Sequence, residues 1–249
     1  MMDMSNEVGK LLKRLGAPEH IKPDSPEVFR QKFRELQLAD ELVKSNEHRS
    51  RLNNALFGKS GLNAHFLSCS FDNYKVERAD QRKALDVAKR FVEKFVELSA
   101  VGKGFLFIGT PGTGKNHLAA AIANALMAKH RSVVLLSVMD LFARVRESYN
   151  DRSLTEERLI AELMRPELLI IDEIGLQRGS VDEMLWLTRI IDKRLYGLKS
   201  TGFITNLDMG ELQSMLGERA YERLKDAATV AVKFDWPSFR GNKGVTNGN

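Results

Sequence analysis

The chain has 249 residues, 43% hydrophobic and 29% charged, with Lys and Arg outnumbering Asp and Glu 38 to 33. That balance excludes an intrinsically disordered chain and a histone-like polycation, while the net charge of +5 suits a polyanionic partner. A single cysteine, Cys69, excludes a disulfide framework and a cysteine-rich zinc site, and with no apolar run near the roughly 18 residues of a membrane span and a polar start (Asp3, Asn6, Glu7) the expected location is cytoplasmic.

A short helix is expected over residues 6–15, with Ser5 as its cap and Gly16 just past its end, followed by a turn carrying Pro18 and Pro23. Ser25-Pro26-Glu27 opens a longer helix, an N-cap with proline at the first helical position, and Gly58 ends the run. Its residues Val28, Phe29, Phe33, Leu36, Leu42 and Val43 recur at three- and four-residue steps. Two helices in 60 residues make a poor independent core, so this stripe either packs on the rest of the chain or meets another protein. The second reading is preferred, with Phe29, Phe33 and Leu36 as the contacts.

A non-helical connector is expected over 61–74, carrying Phe66, Phe71 and Tyr74. An amphipathic helix over 80–98 then gathers Leu85, Ala88, Phe91, Val92, Phe95 and Val96 on one face. From Gly104 onward, β-rich runs at 105–108, 133–138, 168–171, 202–205 and 230–234 alternate with helical stretches. Alternation of this kind predicts an α/β fold with a parallel sheet flanked by helices on both faces. The expected organisation is a helical domain over 1–60, a connector over 61–76, the α/β domain over 77–241 and a Gly/Asn-rich tail over 242–249.

The motif Gly109-Thr110-Pro111-Gly112-Thr113-Gly114-Lys115-Asn116-His117 follows the first of these strands and opens a helix. Glycines let backbone N–H groups converge on phosphate oxygens, the helix N-terminus adds positive potential, and Lys115 reaches the β/γ phosphates. Asn116 stands where Ser or Thr normally meets Mg²⁺. Its carboxamide oxygen is either a hard metal ligand or a turn cap, the ion then being held by phosphates, water and Asp172. Leu168-Leu169-Ile170-Ile171-Asp172-Glu173 carries two acids to the end of a buried strand, Asp172 for the metal and Glu173 to polarise an attacking water. Asn206, after the run 202–205, either senses the γ-phosphate or orients the water, or else caps the next helix. Arg219 and Arg223, four apart on one helix face, either reach a neighbouring subunit's ATP or pair with Glu218, Glu222 or Asp226. Arg240, beside Trp236 and Phe239, can approach the same phosphates.

Together these residues resemble the AAA+ ATPases and, more narrowly, the bacterial replicative helicase loaders of the DnaC type. The resemblance rests on the phosphate loop with its Lys115-Asn116-His117 triplet, on Ile171-Asp172-Glu173-Ile174-Gly175, on Gly217-Glu218-Arg219 with Arg223, and on 236–240. Ahead of them, Ser60-Gly61 and Cys69-Ser70-Phe71-Asp72-Asn73-Tyr74 also match. It implies an ATPase, with ATP/ADP and Mg²⁺ bound, that grips the hexameric replicative helicase through its N-terminal helices. Such a protein helps place the helicase on single-stranded DNA in replication initiation. It further implies self-association of the ATPase domains, with Arg219 and Arg223 acting across the interface, and hydrolysis stimulated by helicase and DNA. The region after Val138 would line the single-strand path, Arg146 binding a phosphate and Tyr149 stacking a base, with Arg178 and Ser180 nearby. Few residues follow Arg240, so the helical lid of many AAA+ proteins is not expected. Phe71 and Tyr74 are candidate neighbours of adenine, or core residues. A DNA-binding transposition-accessory ATPase, which shares this core, is the alternative reading.

Overall fold

A computed structural model describes Arg34 and residues 64–150, 155–176 and 180–239. The helices expected over 6–15 and 25–58 fall outside them, Arg34 excepted, as do Phe29, Phe33, Leu36, Arg178, Arg240 and the tail. The chain divides into two units, Met1–Asn53 and Asn54–Asn249, and every element below belongs to the second.

The elements in chain order are α1 (Ala64–Ser68), α2 (Ala79–Glu93), α3 (Phe95–Ala100), β1 (Gly104–Gly109), α4 (Lys115–Ala128), β2 (Val133–Ser137) and α5 (Val138–Asn150). They continue with α6 (Glu156–Met164), β3 (Leu168–Ile174), α7 (Val181–Tyr196), β4 (Ser200–Thr205), α8 (Met209–Ala227) and β5 (Ala228–Phe234). All five strands lie parallel in one sheet of order β2-β3-β4-β1-β5. The chain leaves β1 for the far edge, returns through β3 and β4, and ends on β1's other side. Such a reversal opens a crevice at the strands' carboxyl ends.

Side chains alternate across the sheet and sort into two cores. Leu106, Ile108, Leu169, Ile171 and Phe203 join residues of α5 to α8 on one face. Phe105, Phe107, Leu168, Ile170 and Ile204 join residues of α2 and α4 on the other. The inner strands are buried on both faces, which is why they read as continuous apolar runs. On edge strand β5 partly buried and exposed residues alternate. Among the described residues, no helix is long and apolar enough to cross a membrane.

Three expectations need correction. The connector is not wholly non-helical, because α1 lies within it. The Asn124 side-chain amide on α4 donates to the carbonyls of Phe66 and Cys69, both at 2.8 Å, a tertiary tie that holds this short turn. The helix expected over 80–98 breaks at Lys94 (φ −92, ψ 9), a jog that turns Phe95 into the core beside Phe91. Val96 therefore stands 59% exposed rather than on the buried face. Val138 begins α5 instead of ending β2, since Ser137 Oγ accepts from the Asp140 amide at 3.0 Å and caps the helix.

Candidate nucleotide-binding site

The loop between β1 and α4 owes its shape to three glycines in the left-handed region, Gly109 (φ 121), Gly112 (φ 77) and Gly114 (φ 94). At Gly109 a Cβ would lie 2.2 Å from the Phe234 carbonyl oxygen, so no other residue fits. The segment after β5 fastens the loop from outside. The Thr110 amide donates to Phe234 O at 2.9 Å, Trp236 Nε1 to Thr113 O at 2.9 Å, and the Phe239 amide to Gly112 O at 2.9 Å. Thr113 Oγ1 closes the turn on Thr110 O at 2.8 Å.

Lys115 is 3% exposed, and its ammonium donates to the carbonyls of Gly109 and Thr110, both at 2.7 Å. A buried ammonium on carbonyl oxygens, at a glycine-rich turn that opens a helix, is a site for anionic oxygens. Beside it lies a cavity of about 360 Å³, lined by Pro111, Gly112 and the first turn of α4 with the ends of β3 and β4. Of the loop residues expected to bind nucleotide, Pro111, Gly112, Gly114, Lys115, Asn116 and His117 line it, whereas Gly109, Thr110 and Thr113 build the frame.

Because β3 and β1 run parallel, Asp172 and Glu173 emerge at the same sheet edge as the loop, and both line the cavity. The β3–β4 register slips between Ile171 and Ile174, and Glu173 adopts φ 60, rare for a residue with a side chain. A bulge of this kind re-aims a side chain at a strand end, and backbone strain concentrates at working sites. Burial pushes the Asp172 carboxyl from an ordinary 3.8 up to about 7, against the opposing pull of the Glu173 amide and the Lys115 ammonium. Asn116 Nδ2 donates to Asp172 Oδ2 at 2.5 Å. The pair expected to hold a metal is therefore in contact, through the amide nitrogen.

Asn206 lines the cavity, and so does Thr205, which sequence reasoning passed over although it ends the same strand. Tyr74 lines it as well, with Asn73, Lys75 and Phe239. Phe71 does not: it borders a separate open groove with Cys69 and Lys89.

Arg219 and Arg223 do not line the cavity. Neither pairs as expected with Glu218, Glu222 or Asp226. Both approach Asp192 of α7, at 3.7 and 3.3 Å, and Arg223 also lies 5.4 Å above the Tyr196 ring. Gly217 (φ 74, ψ 160) breaks α8 just before Arg219, so the two arginines sit on its second segment. Arg146 and Tyr149 face the start of α7 instead of the cavity. Arg146 lies 3.5 Å from Glu183, while the Tyr149 hydroxyl donates to Asp182 and accepts from Trp186 Nε1, each at 2.8 Å. Ser180 caps that helix, its hydroxyl accepting from the Glu183 amide at 3.2 Å.

A family model described as IstB-like ATP binding protein matches residues 22–228. The replicative helicase loader DnaC of Buchnera aphidicola subsp. Acyrthosiphon pisum is 37% identical over 243 residues, 96% of this chain and 97% of its own. The protein of the same name from Escherichia coli is 36% identical over 237 residues, 94% of this chain and 96% of its own. A crystal structure of the DnaC helicase loader is 26% identical with a TM-score of 0.60, covering 68% of this chain and 99% of that one. The parallel sheet with its loop and flanking helices is the AAA+ arrangement expected from the motifs.

Proposed function

The chain belongs to the IstB-like ATP-binding family and, within it, to the DnaC-type replicative helicase loaders; from that premise we propose an ATP-controlled protein that binds the hexameric replicative helicase and helps place it on single-stranded DNA. The observation that carries the ATPase reading is the meeting of Lys115, Asp172 and Glu173 at one cavity on the carboxyl edge of the sheet. Relatives named as loaders along nearly the whole chain favour this reading over a transposition-accessory ATPase.

In this reading the loop amides and Lys115 hold the β and γ phosphates. Lys115 turns its ammonium toward the phosphate oxygens, a stronger charge-assisted contact than a carbonyl offers. A buried carboxyl whose ionised form lacks solvent, touching a carboxamide, is a donor set that suits Mg²⁺. Asp172 and Asn116 would hold that ion, Asn116 turning its oxygen rather than its nitrogen to the site. The metal supplies charge neutralisation at the phosphates. Glu173 orients and polarises the attacking water, and Asn206 reports on the γ-phosphate. Arg219 and Arg223 leave Asp192 for the nucleotide of an adjoining subunit, and Arg240 completes the phosphate contacts. The N-terminal region 1–60, through Phe29, Phe33 and Leu36, grips the helicase. Arg146, Tyr149, Arg178 and Ser180 form the single-strand path, and helicase and DNA together stimulate hydrolysis.

Phosphate release in the presence of helicase and single-stranded DNA tests the assignment. Lys115→Ala should lose nucleotide binding altogether. Glu173→Gln should bind ATP with near-normal affinity yet turn it over about a hundredfold or more slowly, the scale of general-base loss. Unaltered turnover in Glu173→Gln would remove that residue from its role.

A further inference from the structure

Tyr74 stands at the wall of the nucleotide cavity, 7% exposed, and its hydroxyl is enclosed without a hydrogen-bond partner. A buried hydroxyl left unpaired is unfavourable compared with a phenylalanine of the same shape, so an oxygen in this packed position points to a partner beyond the described chain. Burial, and then the charge of Asp80, hold the phenol well above its ordinary range, which keeps the group a donor.

Its surroundings identify the acceptor. The ring packs on Gly114, where a Cβ would lie 2.8 Å from Tyr74 Cε2 and 3.4 Å from the hydroxyl oxygen. The His117 imidazole lies on another side, with ring centroids 5.5 Å apart. Gly114 and His117 bracket the first turn of α4, where helix amides collect phosphate oxygens. No carboxylate or carbonyl of the described residues takes the hydroxyl's proton.

We infer that the Tyr74 hydroxyl is a nucleotide-contacting group, donating to a phosphate oxygen at the start of α4. The inference rests on the nucleotide reading of this cavity. The left-handed glycines 112 and 114 give the loop beside Tyr74 the freedom to adjust when a phosphate enters. Such an adjustment would bring the hydroxyl within reach of that phosphate. The ring itself belongs to the core around α2 and α4, so a phenylalanine keeps the packing.

The experiment compares wild type with Tyr74→Phe, using titration calorimetry with ADP, 2′-deoxy-ADP and GDP, and thermal unfolding without nucleotide. The variant should bind all three about tenfold or more weakly, with its unfolding midpoint unchanged or raised. Equal ADP affinity in a wild type and variant that both bind would overturn the inference and leave the nucleotide reading standing. A wild type that binds none of the three would sink the reading itself. A loss that vanishes for 2′-deoxy-ADP or for GDP would assign the hydroxyl to sugar or base and overturn the phosphate contact. A lowered midpoint would mark a purely structural hydroxyl, with the same result.

Discussion

Asp172 is the residue on which the acid–base behaviour of the site turns. Its carboxyl is 5% exposed and raised to about 7, so near neutral pH it is divided between protonated and ionised forms. Between pH 3.8 and about 7 the folded chain holds this proton more tightly than the unfolded chain does. Stability therefore falls as pH rises through that window. Metal binding has the opposite dependence, since it requires the ionised acid. Affinity for magnesium nucleotide should climb about tenfold per pH unit below the carboxyl's pKa and level off above it. Calorimetry at pH 6 and pH 8 checks this, with Asp172→Asn as the control that removes the Asp172 contribution. An identical pH profile in wild type and Asp172→Asn would contradict the assignment. Of these site residues, Asp172 and Glu173 were legible as a pair of acids after an apolar strand. Their bulge was not, because a register slip against β4 is a property of two strands and leaves no mark on either alone.

At the scale of elements, the strands were readable because inner parallel strands are buried on both faces and so appear as unbroken apolar runs. What escaped was decided by contacts distant in sequence. α1 depends on Asn124, and the loop's outer fastening depends on the segment 234–239, more than a hundred residues away. Arg194 is the strongest case. It is wholly buried, and its guanidinium donates to Leu163 O at 2.5 Å, Ser200 O at 2.6 Å, Thr201 Oγ1 at 2.9 Å and Pro166 O at 3.2 Å. One side chain on α7 thereby satisfies the carboxyl end of α6, the turn before β3 and the start of β4. Arg194→Leu should cost about 3 kcal/mol or more, since several buried acceptors lose their donor together. Denaturant unfolding measures it, and a loss under about 1 kcal/mol would mean that water replaces the guanidinium. Asn124→Ala should loosen residues 66–70 while leaving the sheet intact, seen as faster amide exchange confined to that segment. Unchanged exchange there would show that α1 does not depend on the Asn124 amide.

At the scale of the whole molecule, two pairs of residues singled out in the sequence, one for a neighbouring subunit's ATP and one for single-stranded DNA, are engaged within the chain. Asp192 gathers Arg219 and Arg223, and Asp182 and Glu183 receive Tyr149 and Arg146. Asp192 and Glu183 thus engage the arginines proposed above to meet phosphates. The Arg219 side chain is 80% exposed, so its hold on Asp192 is weak and readily exchanged. Arg219→Ala and Arg223→Ala should each cut hydrolysis about a thousandfold when the arginines act between subunits. Mixing either with Lys115→Ala should then restore part of the activity. No recovery at any ratio would contradict the shared site.

Affinity for the replicative helicase, measured without nucleotide, with ADP and with a slowly hydrolysed ATP analogue, tests the central claim most directly. The wild-type protein should hold the helicase with an affinity that differs between the nucleotide states, and Lys115→Ala should show a single affinity in all three. A wild type that binds the nucleotides yet grips the helicase equally in every state would contradict control of loading by the site at the β1–α4 junction.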